Sequence, residues 1–142
     1  MAKLSVLAVG KTKRDWVREG IADYADRLKH YHQFSYAELR DGDARKEGEE
    51  ILKRAEGTLL VAMVIGGKSL SSEQLAVWIA KQNRPITFAI GSEHSLSPEV
   101  IVKSDFQLSL SAMTFPHELC RIFLLEQLYR AATISKGEKY HK

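Results

Sequence analysis

The chain has a single cysteine, Cys120, among its 142 residues, so no internal disulfide can form. Cys120 stands in an apolar stretch, the setting of a small buried hydrophobe rather than of a reactive thiol, which needs an accessible, electropositive neighbourhood. The opening Met-Ala-Lys-Leu-Ser-Val-Leu-Ala-Val-Gly lacks the long apolar core and small-residue cleavage site of a signal peptide. No apolar run is long enough to span a bilayer, and the expected location is the cytoplasm. Strong charge is missing too. A formal charge of +3 permits an RNA partner without demanding one. Gly67-Lys68-Ser69 lacks the glycine five residues upstream that a phosphate loop requires, since Ala62 is there, and no Gly-x-Gly-x-x-Gly occurs. His30 and His32 have no acidic or cysteine ligands at metal spacing, and His117 with Cys120 lacks a third ligand, so no metal site is expected.

What is present fits one domain over residues 1–142, large enough to bury a core. Nothing repeats and no linker divides the chain. Lys3 to Val9, Gln33 to Leu39, Thr58 to Ile65, Pro85 to Ile90 and Phe106 to Leu110 read as strands, the third ended by Gly66-Gly67 and the fourth by Gly91. Between them the spacing predicts a helix capped by Asp15, a charged helix over Arg45–Glu56 with little to bury, and a helix opened by Ser71 in a capping box with Gln74. A short helix follows Ser97-Pro98-Glu99. Alternation of this kind implies an α/β fold, a mostly parallel sheet flanked by helices. The last helix, Glu118 to Ala132 with Pro116 in its first turn, is apolar nearly all round. In a chain this short, a second protomer is the expected extra cover.

In parallel sheets ligands bind at the carboxyl ends of the strands. Three such ends suit that role: Met63 to Gly67, Ile90-Gly91-Ser92, and Leu110 to Phe115. Each carries glycine or small side chains that let a ligand approach the backbone, and each alone is equally a tight turn. Glu93 and His94 stand at the mouth of such a pocket or in a solvent-facing turn. The tail Lys136 to Lys142 surrounds Tyr140 and His141 with basic residues, a set that can hold phosphate, stack a base and move a proton, or simply fray in solvent.

Met113-Thr114-Phe115-Pro116-His117, then Glu126 to Ala131, then Gly137…Tyr140-His141-Lys142 resemble the RlmH family, as do Ala8-Val9-Gly10-Lys11 and Gly67-Lys68…Ser71-Ser72-Glu73. The resemblance covers the whole chain, and the C-terminal motifs are its specific part. It implies a SPOUT methyltransferase whose C-terminal segment threads a trefoil knot, acting with S-adenosylmethionine on N3 of a pseudouridine in 23S rRNA. It also implies a homodimer with the knot region at the interface, and an assembled ribosome as the expected substrate. By position, the cofactor contacts it implies are Met63, Gly91, Leu110, Ser111, Ala112, Met113, Thr114 and Phe115. His141 is the first candidate for base or substrate positioner, with Tyr140 stacking on the base and Lys142 holding phosphate. His117 is a second substrate-side candidate, or else braces the helix start.

One loop departs from the family pattern Ile-Gly-Gly-Ser-x-Gly-Leu. Here it is Ile90-Gly91-Ser92-Glu93-His94-Ser95-Leu96, and serine tolerates a positive φ poorly at either replaced glycine. A non-catalytic RNA- or ribosome-binding dimer with a degraded pocket is therefore the rival expectation. A methyltransferase for another RNA is a third.

Overall fold

The computed structural model describes residues 2–92 and 95–141. Strands and helices alternate: β1 (Lys3–Val9), α1 (Asp15–Leu28), β2 (Gln33–Leu39), α2 (Ala44–Arg54) and β3 (Leu59–Ser69), then α3 (Ser72–Lys81), β4 (Ile86–Ile90), α4 (Pro98–Lys103), β5 (Phe106–Ser109) and α5 (His117–Ser135). The five strands form one sheet in the order β2-β1-β4-β3-β5, and every pair is parallel. The α/β expectation is met.

Period two along the strands divides the core into two layers. Leu4, Val6 and Ala8 of β1 face the side where α1, α3 and α5 pack, while Leu7 and Val9 face α2 and α4. On the first side Leu124, Leu125 and Leu128 of α5 are wholly buried, worth about 2 kcal/mol each. Much of the cover for the oily last helix thus comes from within the chain, from the sheet and from α1 and α3 on either flank. Phe123 remains exposed.

Local chemistry sets most boundaries. The Ser71 hydroxyl accepts from the Gln74 amide at 3.0 Å and the Gln74 side chain accepts from the Ser71 amide at 2.8 Å, the capping box expected. Ser97 caps α4 ahead of Pro98. Asp43 caps α2, whose Ile51 is buried, so that helix has more to bury than its charges suggest. Asp15 is not a cap: Arg14 holds that position and Asp15 is the first helical residue, paired with Arg18. Pro116 likewise sits just before α5 rather than inside it.

The largest departure concerns β3, which runs through Gly66-Gly67 to Ser69 instead of stopping before them. Met63 and Lys68 both pair with Leu108 of β5, so residues 64–67 bulge out of the ladder. Glycine permits the crossing, because a Cβ on Gly67 would lie 2.8 Å from the backbone of Gln107. The glycines do not end the strand. They let it swing out and rejoin β5.

Candidate functional site

The bulge after Met63 forms one wall of a cavity at the carboxyl ends of β3, β4 and β5. Met63, Val64 and Ile65 face Ile90, and Leu108 to Ser111, Met113, Phe115 and Cys120 complete the lining of a space of about 90 Å³. A second, wider concavity of about 440 Å³ opens on the other side of the same loop. It shares Leu108 to Ser111 and Phe115, and adds Ser71, Ser72, Phe123, Glu126 and Gln127. The loop between them is braced by its own polar groups: the Ser109 hydroxyl donates to the Ser111 carbonyl at 2.9 Å, and the Met113 amide donates to the Ser111 hydroxyl at 3.0 Å. Phe115 packs edge-on against Phe123 of α5, with ring centres 5.0 Å apart.

Of the expected cofactor contacts, Met63, Leu110, Ser111, Met113 and Phe115 line this one cavity. Gly91 follows the lining residue Ile90 directly and is buried. Ala112 and Thr114 are exposed on the loop and off the cavity wall. A Cβ on Gly91 would lie 2.4 Å from the carbonyl carbon of Ser95, so the returning loop allows no side chain there. Ser95 has φ 74, in the left-handed region that disfavours a residue with a Cβ; Ser92 is not among the positive-φ residues. The strain feared from the missing glycines therefore falls on Ser95 alone.

Apolar walls in the smaller cavity, small residues that leave loop backbone reachable, and Ser71, Ser72, Glu126 and Gln127 in the cleft across the loop fit a nucleoside-type methyl donor with its amino-acid part. The smaller cavity falls short of the about 300 Å³ of ordinary ligand pockets, which is reached only with the wider cleft included. Cys120 is a half-buried part of the wall. Burial pushes its thiol up, its Sγ lies 3.9 Å from the Phe115 carbonyl, and it stays neutral.

The tail lies along α5, against Glu126, Tyr129 and Arg130. The Tyr140 hydroxyl donates to Glu126 Oε2 at 2.9 Å, and its ring stands edge-on to Tyr129 at 4.7 Å and under Arg130 at 4.9 Å. Burial, and then Tyr24 and Glu126, push that phenol well above its ordinary value, so it remains protonated. His141 bridges Arg130 and Glu73. The Arg130 guanidinium can only donate, so Nδ1 is the acceptor at 3.1 Å and Nε2 carries the proton toward Glu73 Oε2 at 3.0 Å. That contact, and then the backbone amide of Glu73 itself, hold the Glu73 carboxyl below its ordinary value. Glu126 also lines the wider cleft, so the tail and the cleft share a rim. Lys142, Glu93 and His94 lie outside the described residues.

His117 begins α5 at a different opening, beside Gly10, Lys11, Lys13, Arg40 and Ser92. Beneath this opening is a buried charged network that charge patterning did not reveal. Arg121, fully buried, donates to Glu38 Oε2 at 2.9 Å, Thr12 Oγ1 at 2.8 Å, the Tyr36 hydroxyl at 3.3 Å and the Val9 carbonyl at 2.9 Å. Its Nε has no partner among the described residues. Burial alone would raise Glu38, but hydrogen bonds from Thr12 and Tyr36 together with the Arg121 charge outweigh it and hold the carboxyl low. Glu118 behaves in the same way, with the Arg14 and Lys13 amides at 3.2 and 3.3 Å overriding burial. In the sequence Arg121 and Glu118 stand on one side of a helix that is otherwise apolar nearly all round. Their partners stand 83 to 112 positions away and leave no local signal.

The family profile described as "Predicted SPOUT methyltransferase" matches residues 2–141. Proteins called ribosomal RNA large subunit methyltransferase H match along their whole length. The one from Carboxydothermus hydrogenoformans is 40% identical and that from Prochlorococcus marinus 39%, over 99% of this chain and 99% and 97% of theirs. Among solved structures, a probable methylase family protein from Haemophilus influenzae superposes with TM-score 0.64 at 11% identity, over 99% of this chain and 71% of that one. The SpoU methyltransferase AviRb of Streptomyces viridochromogenes, in complex with AdoMet, superposes with TM-score 0.52 at 15% identity, over 96% of this chain and 59% of that one. These two likenesses speak for the fold.

Proposed function

We propose, from the premise that this chain belongs to the SPOUT methyltransferases and is an S-adenosylmethionine-dependent enzyme of that family, that its substrate is N3 of a pseudouridine in 23S rRNA within the assembled ribosome. The observation that carries this reading is the convergence of three strand-end loops on one apolar cavity, lined at Met63, Leu110, Ser111, Met113 and Phe115 and closed behind Ile90-Gly91. When bound, the cofactor supplies the methyl group. Met63, Ile90, Leu110 and Phe115 exclude water from it, and the braced Ser109–Met113 loop fixes its position, so alignment supplies much of the rate.

N3 of pseudouridine carries a proton that must leave. His141 accepts it, through the ring nitrogen freed when the imidazole leaves its partners. Tyr140, held protonated, stacks on or donates to the substrate base. Both His141 nitrogens are engaged by Arg130 and Glu73 in the present arrangement, and such half-exposed contacts yield readily. The tail then serves a cofactor cavity across a homodimer. Exposed Phe123 and Met113, beside the loop and α5, supply apolar area for that interface. The knot implied by the resemblance belongs to this reading, and the all-parallel sheet is consistent with it. A cytoplasmic location follows from the substrate; among the described residues no helix is long and apolar enough to cross a membrane. Removing Tyr140 to Lys142 is expected to abolish tritiated methyl transfer to ribosomes while calorimetric binding of S-adenosylmethionine persists. Unchanged turnover would remove the tail from the mechanism.

The strained Ser95 is the observation that favours a second reading, a binding module with a degraded pocket. Calorimetry without any heat of S-adenosylmethionine binding would establish it.

A further inference from the structure

An open groove of about 1010 Å³ lies beside the cofactor cavity, between the ends of β1 and β2 and the start of α5. Two of its three acidic residues, Glu38 and Glu118, are held by basic groups and amides. Glu38 is held by the buried Arg121, Glu118 by two backbone amides and Arg14, and Asp41 is turned to Glu47, whose carboxyl is raised by burial and by that neighbour. Lys11, Lys13 and Arg40 are exposed along the groove and have no ion-pair partner among the described residues. They come from separate segments, Lys11 and Lys13 from the turn after β1 and Arg40 from the turn after β2, and line the same groove. The groove ends next to the cofactor cavity. Ser92 in the groove is two residues beyond Ile90 in the cavity, and His117 in the groove is one helical turn before Cys120 in the cavity wall.

We propose that this groove is the track for the phosphate backbone of the substrate RNA, with Lys11, Lys13 and Arg40 on successive phosphates and His117 at the end nearest the reacting base. The proposal rests on the rRNA reading above and specifies how that RNA is held. No Phe, Tyr or Trp lines the groove, so it offers charge without a stacking platform. Its role is therefore positioning without sequence readout, and the base is read elsewhere. The buried Arg121 network fixes the groove floor, because it ties α5 to β1 and β2 directly under these side chains.

The test uses the full chain carrying Lys11→Ala, Lys13→Ala and Arg40→Ala together, and co-sedimentation with assembled ribosomes at rising salt. A matched control carries Lys3→Ala, Lys81→Ala and Arg84→Ala, removing the same charge from the surface around the amino ends of the strands and the end of α3. The groove variant is expected to bind at least about tenfold more weakly, with its log–log salt slope shallower by about 2, at about 0.7 per lost single-strand phosphate contact. The control should bind as the unaltered protein does. A charge-keeping variant, Lys11→Arg, Lys13→Arg and Arg40→Lys, should retain binding, and all variants should keep their affinity for S-adenosylmethionine by calorimetry. Unchanged binding by the groove variant, equal loss in the control, or no ribosome binding by the unaltered protein overturns the proposal. Ribosome binding without methyl transfer would defeat the catalytic reading instead, and the same binding curves would still decide the groove.

Discussion

Both ends of α5 carry polar networks, and they are built in opposite ways. At its start, Arg121 is wholly enclosed and makes four hydrogen bonds to β1, β2 and the segment between β1 and α1. Beyond its end, the tail is held by His141 to Glu73 and Tyr140 to Glu126, with Glu73 mostly in solvent. A buried ion with one partner removed is left without water or counter-charge, so the first network cannot open in the folded protein. The second exchanges its contacts for water at little cost. One end of the helix therefore fixes a surface and the other presents a movable group, which is the division of labour that the proposed positioning and proton transfer require.

The strongest way to break this contrast is Arg121→Ala. It takes the counter-charge from Glu38, which keeps its bonds from Thr12 and Tyr36, removes a donor from the Val9 carbonyl and empties a buried side-chain volume, and unfolding in urea should report a loss of about 3–5 kcal/mol. A loss no larger than that of a surface pair would show that the network is not a strut. Glu38→Gln should cost less, since an amide oxygen still accepts from Arg121, and it carries a pH signature. The folded pKa of Glu38 is depressed, so its contribution is present above the ordinary carboxylate range and is lost as pH falls through the folded value. Melting temperatures taken from neutral pH to below about pH 4 should fall less steeply for Glu38→Gln than for the unaltered chain. Ending the chain at Lys139 should lower stability by only about 1–2 kcal/mol, mostly the lost Tyr140–Tyr129 packing. Ser95→Gly lies off both networks and gives the scale of a gain: relief of its positive φ should stabilise the chain by less than about 1 kcal/mol, net of glycine's entropy. A destabilised Ser95→Gly would mean that the serine side chain contributes more than its backbone strain removes.

The contrast also marks what a single sequence can disclose. Strand runs, the Ser71–Gln74 box and the Ser97-Pro98 helix start are local patterns, and they appear where expected. The cavity residues were legible because small residues cluster at strand ends and because the family motifs extend through Phe115-Pro116-His117. Arg121 was visible as a charge but not as a buried one, since Glu38 reaches it only through the packing of α5 against the sheet. Gly66-Gly67 carried the right residue type for the wrong reason: glycine marks either a turn or a close crossing, and only the register with β5 separates them. Lys11, Lys13 and Arg40 form a groove only once the turns after β1 and β2 lie side by side.

The most direct test of the central claim is tritiated methyl transfer from S-adenosylmethionine to assembled ribosomes that lack the modification, with the intact chain and the chain ending at Lys139 side by side. Saturable label in 23S rRNA, located to N3 of a pseudouridine and absent with the shortened chain, is the predicted result. Equal transfer by the two chains, or label located to a different RNA, would contradict it.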